Sequence, residues 1–309
     1  MIDSERIFNA ITSEKFPALA VEEGSELVDK WIEECYAEDL RYKTLMLEAG
    51  FFIELEANTF ITGAADKVMV DPEYGPIGEE MKSTSRRSKY WTPERWLEQI
   101  SSTHQVATYA AAFREGSFIV GGGELWRPQI TEPRLLCRAI SKTKPPELWP
   151  TPAGALVAID SRHINATLNA YRSAAVAIRA RRKLGVVPWQ IPGFHCVKRY
   201  PGNKEFPCEF GTECGERTYP TERRSEDRGM SPGSTSVLKY LVDSGRVEVD
   251  NPEVTVLSAS SLDDFMQCAE KWRRRSIGQE RESKESLEIG SVLHLGLKEY
   301  HTILKENGF

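Results

Sequence analysis

The sequence has no stretch of about 18 apolar residues free of charge, so no membrane-spanning helix is expected. It is poor in cysteine: six residues in 309 are too few for a disulfide scaffold. Its first residues, MIDSERIFNAITSEKF, lack the apolar centre of a secretory leader. A cytoplasmic location is therefore expected. Neither sign of charge prevails, with 46 acids against 40 bases and a net charge of −6. That balance excludes a polybasic nucleic-acid coat. It does not exclude an enzyme acting on nucleic acid, because metal-binding carboxylates add negative charge beside local basic patches. Gly121-Gly122-Gly123 lacks the Gly-Lys-Ser/Thr that completes a phosphate loop. Asn165-Ala-Thr167 matches a glycosylation acceptor but lies in a basic helical stretch, where the match carries no weight. There is no internal repeat, and 40% apolar residues suffice for a sizeable core.

Residues 1–50 read as helical, with apolar positions at Leu27, Trp31, Ile32 and Tyr36 and again at Leu45, Met46 and Leu47. Residues 51–71, rich in β-branched and aromatic side chains, read as two strands. The DPEYGP run at 71–76 is a turn, and IGEEMKSTS after it is a third strand. One helix is expected over 94–115, with Pro93 near its start, a strand over 155–160, and a long basic helix over 162–184. Residues 186–236 are irregular and rich in Pro, Gly and Cys, and 221–236 has linker composition. The tail holds a short helix around SLDDFMQCAEKWRRR and a second at EIGSVLHLGLKEYHTILKEN.

The chemistry-bearing residues gather after the first strands. Asp66 precedes Glu80-Met81-Lys82 by 14 positions, across the DPEYGP turn. On a strand, positions 80 and 82 share a face. A hairpin would bring Asp66 to both. Two carboxylates can hold Mg²⁺ or Mn²⁺ through hard oxygen ligands, and a lysine beside them can position a water or neutralise a phosphate oxygen. Such a metal activates water near neutral pH. Gln105 and Tyr109, spaced i, i+4, share one face of the following helix.

Gly63-x-x-Asp66, Glu80-x-Lys82 and Gln105-x-x-x-Tyr109 together resemble the PD-(D/E)XK nuclease superfamily, and within it the RecB-type branch of phage and CRISPR-adaptation exonucleases. The departure is Ala65, where the pattern has proline. The resemblance spans residues 51–115. It implies an α/β restriction-endonuclease-like core, a central mixed β-sheet flanked by helices, in a bacterial or phage-infected cell. It implies a Mg²⁺- or Mn²⁺-dependent deoxyribonuclease, an exonuclease acting on linear ends or single strands in recombination, repair or phage DNA processing. Recombination or CRISPR-adaptation proteins are the partners it implies. The alternative is a non-catalytic DNA-binding or recombination module on a degenerate nuclease fold. By the same resemblance Asp66, Glu80, His294 and the Met81 carbonyl hold the metal, Lys82 positions the water, and Gln105 and Tyr109 support the lysine and the phosphate.

His294 enters through the tail. Gly290-x-x-x-His294, preceded by the Ser-rich run from Ser258 to Cys268, resembles the opening segment and histidine helix of the same nucleases. There these precede the Asp and Glu-x-Lys strands; here they come last. A circular permutation, a truncated copy followed by a second start, and an accidental likeness all produce such an order. We favour the permutation, since residues 1–220 lack a Gly-x-x-x-His motif and an opening segment of their own and the tail supplies one of each. Residues 1–220 and 256–309 would then build one nuclease fold joined by a linker over 221–255. The two chain ends would lie close, and His294 would face Asp66 and Glu80.

The same resemblance groups Cys196, Cys208, Cys214 and Cys268 as ligands of a four-iron, four-sulfur cluster in a Cys-rich subregion, with zinc as the alternative. The gap of eleven residues between Cys196 and Cys208 is wider than in many relatives. Cys35 and Cys137 read as buried apolar residues. Arg86, Arg87 and Lys89, next to the Glu-x-Lys strand, are the favoured phosphate contacts. Further basic clusters lie at 172–183 and 271–275. Trp91 and Trp96 can stack on bases or pack in the core, and His104 can touch substrate or solvent. No role is assigned to His163 or His301.

Overall fold

A computed structural model describes residues 2–84, 92–142, 145–150, 154–184, 197–200, 204–207, 232–248, 251, 253–267 and 285–309. Two helices open it, α1 (Ser4–Ser13) and α2 (Ala18–Asp39). The Asp3 carboxylate caps α1 by accepting the Arg6 amide at 3.0 Å, which satisfies one of the amides a helix start leaves unpaired. Three long strands follow: β1 (Lys43–Glu56), β2 (Thr59–Asp71) and β3 (Gly75–Thr84), an antiparallel meander. The DPEYGP run makes the β2–β3 turn, where Asp71 accepts the amides of Glu73 and Tyr74 at 2.7 and 2.9 Å.

The helical expectation for residues 1–50 fails over 43–50, which are strand. A short apolar run such as Leu45-Met46-Leu47 does not distinguish the two periods. Pairing with β2 along most of β1 decides the conformation. The single helix expected over 94–115 is two, α3 (Pro93–Ser101) and α4 (His104–Glu115). Thr103 restarts the helix, its hydroxyl accepting the Val106 amide at 3.3 Å.

Short strands β4 (Ser117–Ile119) and β5 (Leu125–Trp126) flank a single turn formed by Gly121–Gly123. Then come β6 (Arg134–Ser141), β7 (Leu148–Trp149), β8 (Ala155–Ala158) and the long α5 (Ser161–Leu184). A separate hairpin is formed by β9 (Val197–Tyr200) and β10 (Lys204–Pro207). Inside the span read as linker lies a helix, α6 (Pro232–Asp243). It covers Phe52 and Phe60 on β1 and β2. The tail contributes β11 (Thr255–Leu257), α7 (Ala259–Gln267) and α8 (Glu285–Glu306).

The central sheet runs β5-β4-β1-β2-β3-β6-β7, with β8 beside β6 and β11 beside β2. β3–β6 and β2–β11 are parallel pairs and the rest antiparallel. The fold is thus α/β, a mixed central sheet flanked by helices. One face packs on α4 and α5, the other on α1, α2 and α8. Helices α2 and α8 touch at small residues. A Cβ on Gly24 would meet Val292 at 2.3 Å, and one on Gly296 would meet Val28 at 2.5 Å. Along α1, Arg6 pairs with Glu299 and Glu306 of α8, both at 2.5 Å, so the first and last helices lie side by side. Among the described residues no helix is long and apolar enough to cross a membrane.

A charged cluster is sealed between the sheet and helices α2 and α8. Lys67 of β2 meets Glu79 of β3 at 2.7 Å and Asp39 of α2 at 3.6 Å. Arg138 of β6 meets Asp39 at 2.6 Å and Glu79 at 3.0 Å. From α8, the Tyr300 hydroxyl donates to Asp39 at 3.0 Å, and His301 Nδ1 lies 3.2 Å from the Lys67 ammonium. All are buried. A buried charge persists only when paired and hydrogen-bonded, so each partner requires the others.

Burial, aided by the Lys67 charge, depresses the His301 imidazole from 6.5 to about 3. Between those values the unfolded chain binds more protons than the folded one, so this residue's contribution to stability is lost as pH falls below 6.5. His301→Gln keeps a polar partner for Lys67 and removes the dependence. Relative to the wild type, the variant is expected to gain up to about 1.4 kcal/mol per pH unit on acidification through this window. Urea denaturation at neutral pH and near pH 5 measures this, and parallel pH profiles would refute it.

Candidate active site

The β2–β3 ladder ends at Lys67–Glu79. Farther back along the same edge, β2 is paired by β11 at Thr59, Phe60 and Ile61. Residues 62–66 lie in the fork between these two partners. They line a cavity of about 1110 Å³, together with Met81, Lys82 and Ser83 of β3, Gln105, Thr108 and Tyr109 of α4, the start of α7, and His294 and Lys298 of α8. Glycine at 63 leaves room for the Phe51 ring of the neighbouring β1, which a Cβ there would meet at 2.5 Å.

Where the ladder stops, the Asp66 carboxylate takes the place of backbone and accepts the Met81 amide at 3.0 Å. Side chains alternate along β3. Glu79 points to the charged cluster and Met81 to the α2–α8 core, while Glu80 turns to α4. Glu80 is fully buried and meets the Lys82 ammonium at 2.7 Å. The Gln105 amide donates to the Tyr109 hydroxyl at 3.0 Å and to Glu80 at 3.4 Å. Tyr109 is held edge-on against Phe51, ring centres 5.8 Å apart.

Burial raises the Glu80 carboxyl from 4.5 to about 7; the Lys82 charge opposes the rise and the Asp66 charge adds to it. Burial works against the Lys82 ammonium, but Glu80 and Asp66 outweigh it and raise the amine. On α8, His294 Nε2 lies 3.3 Å from Glu48 and Lys298 donates to Glu48 at 2.7 Å. Hydrogen bonding to Glu48 raises the His294 imidazole. The same contact, with Lys298, lowers the Glu48 carboxyl from 4.5 to about 2.

Asp66, Met81, Lys82, Gln105, Tyr109 and His294, brought together on paper by motif alone, therefore share one cavity. Glu80 lies just behind its wall. Gln105 reaches Glu80, whereas the expectation placed it against the lysine. His294 pairs with Glu48. Among the described residues, no three His, Cys, Asp or Glu side chains converge as a ready cation site. Cys196, Cys208, Cys214 and Cys268, together with Arg86, Arg87, Lys89 and Trp91, lie outside the described residues. Cys35 and Cys137 are buried free thiols. Trp96 packs in the core. His104 meets Asp263 at 2.7 Å, joining α4 to α7. Arg179 of the basic helix donates to Glu56 at 2.8 Å and to Thr59. Sequence reasoning missed Glu48 and Lys298. Glu48 is embedded in an apolar run, and no motif singles it out.

The chain matches no family model, no curated protein and no solved structure.

Because Asp66 is one source of the high Glu80 value, Asp66→Asn is expected to lower the Glu80 carboxyl from about 7 toward 4.5. Carboxyl ¹³C NMR titration measures this. A midpoint that does not move would remove Asp66 from the electrostatics of the site.

Proposed function

We propose that the chain is a Mg²⁺- or Mn²⁺-dependent DNA nuclease with a restriction-endonuclease-like core, acting as an exonuclease on linear DNA. The observation that carries this reading is the shared cavity, which gathers Asp66, the Lys82 that Glu80 holds, the Gln105–Tyr109 pair and His294 from three separate parts of the chain. The donors suit a hard divalent ion: two carboxylates, a main-chain carbonyl at Met81 and an imidazole. Burial raises Glu80 to about 7 and the Asp66 charge adds to the rise, so a divalent ion beside the two acids would relieve both. When bound, the ion supplies hydroxide near neutral pH and neutralises phosphate. Asp66, Glu80, Met81 and His294 would hold it. The Lys82 ammonium, anchored by Glu80, donates to the attacking water or a phosphate oxygen. Gln105 keeps Glu80 and Tyr109 in place.

In this reading residues 1–220 and 256–309 build one fold. The β2–β11 pair and the α1–α8 ion pairs support it. Cys196, Cys208, Cys214 and Cys268 would hold a four-iron, four-sulfur cluster, or zinc in its place. Arg86, Arg87 and Lys89 would meet DNA phosphates, and recombination or CRISPR-adaptation proteins are the partners that fit. One observation favours a second reading, a DNA-binding module without catalysis: no three ligands already converge among the described residues.

Degradation of end-labelled linear DNA in Mg²⁺ or Mn²⁺ distinguishes the two. Lys82→Ala is expected to slow it by about 100-fold or more, the loss typical of a removed charge-stabilising donor. Metal-dependent activity that Lys82→Ala leaves intact would discard the mechanism. DNA binding without any cleavage by the wild type would favour the module.

A further inference from the structure

Glu48 is a charged side chain of this cavity that no motif assigns. It sits within the 14-residue strand β1, yet its φ is +45°, in the left-handed region that side chains other than glycine, asparagine and aspartate seldom adopt. Its neighbours pair in register with β2, Leu47 with Lys67 and Ala49 with Ala65. Glu48 therefore lies directly across from Asp66. Both line the cavity. The twisted backbone is accompanied by two contacts to one helix, His294 Nε2 at 3.3 Å and Lys298 Nζ at 2.7 Å, four residues apart on α8. Backbone strain of this kind persists where surrounding structure enforces it, and it concentrates at functional sites.

We infer that Glu48 is a positioning residue of the proposed site, engaging His294 at Nε2 and leaving Nδ1 as the ring nitrogen open to a cation. The inference rests on the metal-dependent reading above. A histidine ligand commonly has its second nitrogen held by a carboxylate, which sets the ring's orientation, and removing that carboxylate typically weakens metal binding about 10- to 100-fold. Lys298 gives Glu48 a second anchor, so the carboxylate stays aligned with α8.

The test is Mn²⁺ titration followed by electron paramagnetic resonance on the full chain, with no substrate present. Glu48→Gln keeps the side-chain shape and is expected to weaken Mn²⁺ binding about 10- to 100-fold. In a His294→Ala background the same substitution is expected to add nothing, because Glu48 acts through the histidine. Glu48→Gly removes the carboxylate and suits the left-handed backbone. It is expected to melt no lower than Glu48→Gln while losing the same affinity. Wild-type affinity in Glu48→Gln would overturn the inference and leave the nuclease reading standing. Independent, additive losses would overturn it by making Glu48 a ligand in its own right. A wild type that binds no Mn²⁺ would remove both.

Discussion

The fully buried ion pair between Lys67 and Glu79 is the constraint on which the site depends. These two residues are register partners, and they form the last rung of the β2–β3 ladder. A slip of one residue would turn a buried charge to the opposite face of the sheet. Leaving it unpaired there would cost about 3–5 kcal/mol. Asp39, Arg138 and Tyr300 join the pair from α2, β6 and α8. The register of two strands and the seating of two helices are thus fixed together. Asp66 and Glu80 are the next residues along those strands and face the other way, so their approach follows from the ion pair behind them. A buried salt bridge is weak evidence for net stability. Here its consequence is geometric, setting which carboxylates meet.

The cavity has a topological origin. β2 is longer than either partner on its outer edge, so β3 and β11 share it and leave residues 62–66 between them. Backbone groups bared by such a fork need partners, and the Asp66 carboxylate supplies one by taking the Met81 amide. That contact also fixes the carboxylate. Glu80 is buried behind the wall and balanced by Lys82, so its high value expresses desolvation that one lysine offsets only in part. The same chain segments that end the ladder therefore build the electrostatics.

The third strand, the turn before it and the long basic helix were legible in the sequence because their signals are local. Asp71 and Gly75 specify a turn, and β-branched and aromatic residues specify strands. Residues 43–50 were not legible as strand, since their conformation comes from a ladder with β2 that no local period records. The break at Ser102–Thr103 has a local signal, residues 101–105 without an apolar side chain and Thr103 as a capping type, but the helical spacing on either side obscures it. Asp66, Lys82, Gln105 and Tyr109 were legible as a set through their spacing. Glu48 was not, because its importance comes from a backbone torsion and from a histidine 246 residues away. His301 was passed over for the same reason. A lone histidine near the end of the chain carries no sign that it will be enclosed beside Lys67.

Segment order is the remaining link between sequence and site. The main contacts that α8 and β11 make are with α1, α2, α5, β1, β2 and β3, and none depends on whether the tail is written before or after them. Arg6 against Glu299 and Glu306 places the two ends of the chain beside one another. Joining the ends there and opening the chain in a connecting segment would leave these contacts in place, the circumstance in which permutation is tolerated. What such reordering changes is the entropy of bringing α8 to β1. His294 and Glu48 are 246 positions apart in this chain, whereas in the reverse order only α1 and α2 would separate α8 from the first strand. Loop-closure entropy rises only slowly with length, so a change of segment order would cost little stability, and the pairing of His294 with Glu48 is compatible with either arrangement.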